Sequence, residues 1–118
     1  MHHDDNCFKQ CSKCGYVWGA RSELLGDPDI TILGYQVNTT DLLGGLILFN
    51  HGCDTTLALK VQALRDLYSG PVYPTLKIGE TGCPGHCLDE YELRSCTNTC
   101  EGAYAREILQ IVKQWPKN

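Results

Sequence analysis

The twenty residues FNHGCDTTLALKVQALRDLY, Phe49 to Tyr68, decide how this chain folds, because they hold the end of an apolar run, a His-x-Cys pair and a change of hydrophobic period. Upstream, GLILF at Gly45 to Phe49 runs into Asn50 and His51 and predicts a strand over 45–51. Downstream, Leu57, Val61, Leu64 and Tyr68 fall at i, i+4, i+7 and i+11, the stripe of a helix packed on one side, while Lys60, Gln62 and Asp66 occupy its other faces. This predicts a helix over 55–68, capped by Asp54 or Thr55 and ended by Ser69-Gly70-Pro71. His51 and Cys53 then sit between strand and helix. Residues two apart on extended chain project to one side, and a helix N-terminus beside Cys53 favours its thiolate.

Working outward, ITILGYQV over 30–37 is rich in β-branched and aromatic residues and predicts a strand, antiparallel to 45–51 across the loop NTTDLLGG. Ser22 to Leu25 predicts one helical turn, stopped by GDPD at 26–29, where Pro28 cannot continue it. VYPTLKIGETG reads as a short extended piece entering a loop. Near the C-terminus, Tyr104, Ile108, Ile111 or Val112, and Trp115 make the apolar face of a second helix, with a cap expected within Thr97 to Thr99 and a stop at Pro116. The expected class is a small single α+β domain, a short antiparallel sheet with about two helices and one or two cysteine-rich metal sites. Its parts are a knuckle with paired strands over 7–54, the helix 55–68, and a cysteine-rich loop and helix over 83–115.

The 118 residues, 42% of them hydrophobic, can bury one modest core and exclude a large barrel enzyme. Acidic groups outnumber basic ones, 14 to 10, and the cations are scattered, so nucleic acid is not the expected partner. No apolar run is long enough to span a bilayer. The start MHHDDNC lacks a basic segment, an apolar segment and a cleavage site, which argues for the cytoplasm. In a reducing compartment eight cysteines read as metal ligands or reactive thiols; in an exported chain they would read as disulfides.

In CFKQCSKCG, Cys7 to Gly15, Cys11-x2-Cys14-Gly15 has the form of a zinc knuckle: two thiolates on a tight turn, with a glycine that lets backbone amides face sulfur. A tetrahedral ion needs two further ligands, and His51 and Cys53 are the best-placed pair. Cys7 is a further thiol within reach of the same cluster. The order of knuckle, paired strands, ligand pair and helix resembles a treble-clef or zinc-ribbon module over residues 11–68. That resemblance implies a structural zinc with four protein ligands and no open catalytic position, although a second C-x2-C would be usual where His51-x-Cys53 stands. Cys7-x3-Cys11-x2-Cys14 is also similar in spacing to the cluster motif of radical SAM enzymes, but Lys13 replaces the usual aromatic residue and the chain is short for that barrel.

GCPGHC and LRSCTNTC place Cys83-x3-Cys87 before Cys96-x3-Cys100. Twin C-x3-C pairs resemble those of disulfide-stapled helical hairpins, yet Pro84-Gly85 forbids a helix between the first two. These four thiols suit a second zinc or an iron-sulfur cluster, with His86 able to replace one, or else two disulfides. Cys53 beside His51 also has the makings of a nucleophile, but sequence adjacency does not build catalytic geometry. The expected function is a non-catalytic zinc-binding accessory protein that acts on another protein. The alternatives are an iron-sulfur electron carrier and a disulfide-stapled exported protein.

Overall fold

β4 (Leu46–His51) is the strand on which the rest is assembled, and its Ile47, Leu48 and Phe49 are all buried because layers cover both faces of the sheet. The computed structural model describes residues 8–96 and 99–117. On one side β4 pairs antiparallel with β3 (Ile30–Gln36), with Tyr35 opposite Ile47 and Ile30 opposite His51. On the other it pairs antiparallel with β5 (Thr55–Lys60), with Phe49 opposite Leu57 and His51 opposite Thr55. The sheet order is β3-β4-β5, and a separate hairpin joins β1 (Lys9–Gln10) to β2 (Val17–Trp18). Two helices, α1 (Arg21–Leu25) and α2 (Ala103–Lys113), complete an α+β fold.

The helix expected over 55–68 is not formed. Its first six residues are β5, and Val61–Leu67 is a 3-10 turn. The physical reason lies in two shorter periods hidden under the helical stripe. Leu57, Leu59 and Val61 alternate and are all buried, the period of a strand, whereas Val61, Leu64 and Leu67 recur every third residue, the period of a 3-10 helix. Asp54, with φ of 69°, reverses the chain at the point where a helix cap was expected, so Cys53 stands in a β-turn rather than at a helix N-terminus.

α2 packs on the 3-10 turn and on β3, and Ala105, Ile108 and Leu109 are fully buried there. It begins at Ala103 with Gly102 as N-cap and no side-chain cap; of the expected capping segment, Thr97 and Asn98 lie outside the described residues. Arg106, on the inward face of α2, is completely buried and gathers the segment before the helix through backbone carbonyls. Nε donates to Arg94 O at 2.9 Å, Nη2 to Glu92 O at 2.6 Å and Nη1 to His86 O at 3.5 Å. Gln110 Nε2 adds a bond to Leu93 O at 2.5 Å.

The same segment touches the open edge of β3, where Tyr35 N–H donates to Glu90 O at 2.7 Å. A Cβ on Gly34 would lie 2.6 Å from that carbonyl oxygen, a distance real Cβ atoms do not adopt. Gly34→Ala must therefore push the 83–96 segment off the sheet, and is expected to cost about 2–3 kcal/mol. A urea midpoint equal to that of the parent protein would refute this.

Tyr35 is 1% exposed and its hydroxyl has no hydrogen-bond partner among the described residues. Burial pushes its ionisation well above the ordinary range. A raised value means that the neutral phenol stabilises the fold fully below the unfolded tyrosine value near pH 10 and that this contribution is lost as pH rises beyond it. Tyr35→Phe is expected to raise stability by about 1 kcal/mol at neutral pH, since an unpaired buried hydroxyl is removed, and to flatten the alkaline loss. Melting curves at pH 7 and above pH 10 test both halves.

Candidate metal centre

Two hairpin tips meet, each offering two ligands. At the first, Gly15 adopts φ of +79°, which turns the chain so that Gly15 N–H donates to Cys11 O at 3.0 Å and Cys11 N–H to Tyr16 O at 2.8 Å. The turn also aims Cys14 N–H at Cys11 Sγ, 3.5 Å away. At the second tip, Asp54 N–H donates to His51 O at 2.9 Å and the left-handed Asp54 brings Cys53 back beside His51. Lys9 Nζ, bonded to Ala58 O at 3.0 Å, ties the first hairpin to β5.

The ligand atoms of Cys11, Cys14, His51 and Cys53 all lie within 4.8 Å of one another. Cys11 Sγ is 3.5 Å from Cys53 Sγ, and His51 Nδ1 is 3.2 Å from Cys53 Sγ and 3.8 Å from Cys14 Sγ. A tetrahedral zinc with ordinary bond lengths sets its ligand sulfurs about 3.8 Å apart and sulfur from nitrogen about 3.6 Å apart. The observed separations bracket those values, so the four residues fit a single ion. Together they offer one atom for each corner of a tetrahedron.

The surroundings bias Cys11 and Cys53 towards the thiolate that ligates a metal. The Cys14 amide, with burial opposing it, draws the Cys11 thiol down to about 5. The Thr55 hydroxyl, 3.2 Å from its sulfur, lowers Cys53. Cys14 goes the other way: the Tyr16 amide favours its thiolate, but desolvation and the neighbouring Cys11 and Cys53 sulfurs outweigh it. Burial disfavours the His51 cation, yet hydrogen bonds to Cys11 and Cys53 raise it overall. The thiolates favoured at Cys11 and Cys53 thus face the His51 imidazole. Trp18 meets the His51 ring edge-on at 5.0 Å and Tyr16 meets Trp18 at 5.0 Å, walling one side.

Trp18 is 1% exposed, part of the core as aromatics in so small a domain usually are, with its indole N–H donating to Asp27 Oδ2 at 2.8 Å. Its role beside His51 had no signal in the sequence beyond its position seven residues after Cys11. Tyr16 and Tyr73 are exposed. The helix that the treble-clef resemblance implies after the second ligand pair is replaced by β5.

Cys7, His2 and His3 lie outside the described residues. Cys83, Cys87, Cys96 and Cys100 are brought together, but apart from the first quartet, around a cavity that His86 also lines. Burial pushes the Cys87 thiol up, opposed by the Arg106 guanidinium beside it. No disulfide joins any of the seven described cysteines. No helix among the described residues is long and apolar enough to cross a membrane. Comparison with protein-family models, with curated proteins and with solved structures gave no match.

Proposed function

We propose that this protein is a small zinc-binding accessory module, non-catalytic, in which one ion held by Cys11, Cys14, His51 and Cys53 locks the β1–β2 hairpin onto the β4–β5 hairpin. The observation that carries the reading is the convergence of three sulfurs and one imidazole nitrogen within 4.8 Å, a mononuclear spacing with every corner filled by protein. A modest core gains from such a cross-link between elements distant in sequence. The arrangement is ribbon-like, with two hairpin tips facing one another. Zinc accepts a mixed sulfur and nitrogen set readily, which favours it over an iron-sulfur cluster at this quartet.

The partner this reading implies is another protein. The net charge of −4 disfavours a phosphate backbone, and Tyr16 and Val17, 54% and 45% exposed on the tip beside the ion, offer an apolar contact. The compartment this reading implies is the cytoplasm, where thiols stay reduced and free to hold zinc. The test is elemental analysis of protein purified without oxygen. Zinc with neither iron nor labile sulfide supports the module; iron with sulfide would replace it by an electron carrier.

A further inference from the structure

We infer that Cys83, Cys87, Cys96 and Cys100 form a second metal site, a tetrathiolate for one divalent ion of the zinc class, at the start of α2. All four line one small cavity of about 10 Å³, the room of about one water molecule, together with Ile78 and His86. That space suits a bare ion.

Backbone amides are turned towards these sulfurs. Lys77 N–H donates to Cys100 Sγ at 3.0 Å and Gly102 N–H to the same sulfur at 3.4 Å, while Gly85 N–H donates to Cys83 Sγ at 3.4 Å. Gly85 has φ of +82°, the left-handed conformation that aims this amide inward. Cys14 N–H addresses Cys11 Sγ in the same way at the first quartet, so both groups share one device for holding thiolates.

The charge balance supplies an independent argument. Arg106 is 0% exposed, and its hydrogen bonds among the described residues all go to backbone carbonyls, none to a carboxylate. A buried guanidinium without an anion carries a large desolvation cost. It lies against Cys87. When the four thiols release their protons to solvent and bind one divalent ion, the product is a dianion, and Arg106 becomes its counter-ion. Among the described residues only the first quartet is gathered to within 4.8 Å; the second lines its cavity without forming such a group, so its four sulfurs must draw inward to take an ion.

The test is metal stoichiometry of the full chain, reduced and stripped by chelator, then titrated with cobalt and read by thiolate charge-transfer absorption and native mass spectrometry. The parent protein should bind two equivalents. Cys87→Ser with Cys96→Ser should bind one, and Cys11→Ser with Cys53→Ser should also bind one, now with a purely sulfur-ligand spectrum. Because each pair removes its own equivalent, failure here is separable from failure of the first site. Cys96→His, which keeps a ligand, should retain two equivalents with an altered spectrum and covers the case in which the serine pair does not fold. One equivalent in the parent protein, two retained by the Cys87→Ser, Cys96→Ser pair, iron with sulfide at this quartet, or disulfides among these four cysteines after anaerobic purification would overturn the assignment.

Discussion

Cys53→Ser is expected to strip the proposed ion from the first quartet and to melt the packing of the β1–β2 hairpin. Cys53 is the residue that touches most of the site: its sulfur lies 3.5 Å from Cys11 Sγ, 3.2 Å from His51 Nδ1 and 3.2 Å from Thr55 Oγ1. Losing a partner outside the ligand shell weakens metal binding about 10–100-fold, so losing a ligand should exceed the upper end of that range. Binding energy at a structural zinc is folding energy, and β1 and β2 have two residues each, too few to persist without it. The check is zinc affinity by competition with a chromophoric chelator, read beside amide exchange at Cys11 and Tyr16. Unchanged affinity and unchanged protection would rule out Cys53 as a ligand.

Arg106→Leu is expected to be the most destabilising change away from the first quartet, at about 3 kcal/mol, the cost of carbonyls left without donors less the desolvation that the guanidinium no longer bears. The guanidinium satisfies the carbonyls of Glu92, Arg94 and His86, and leucine leaves those partly buried acceptors without its donors. Arg106→Lys should recover little, because one ammonium cannot reproduce a planar fork that reaches separate carbonyls. The measurement is urea unfolding of both variants. A loss below about 1 kcal/mol in Arg106→Leu would mean that the 83–96 segment does not depend on this side chain.

The strands β3 and β4 were legible because β-branched and aromatic residues are concentrated in them, and their pairing followed from the loop between. β5 was not legible. Leu57, Val61, Leu64 and Tyr68 satisfy a helical stripe, and nothing local says that Leu57 pairs across to Phe49 instead. The ligand quartet was readable even so, since it rests on two short spacings, Cys11-x2-Cys14 and His51-x-Cys53, each of which survives whether a helix or a strand follows. Arg106 was invisible: one arginine among Tyr104, Ile108 and Leu109 gives no sign that its partners are carbonyls a dozen or more residues earlier. The place of Trp18 beside His51 was equally invisible, because its indole is held by Asp27 and His51, which are neighbours only after folding.

The central claim is that one ion is shared by Cys11, Cys14, Cys53 and the Nδ1 of His51. Cadmium-substituted protein, examined by cadmium NMR with detection of couplings to ligand protons, addresses it most directly. A cadmium signal coupled both to the His51 ring and to the β-protons of Cys11, Cys14 and Cys53 is the result predicted here. A His51 ring that shows no coupling and titrates freely while cadmium is bound would contradict it.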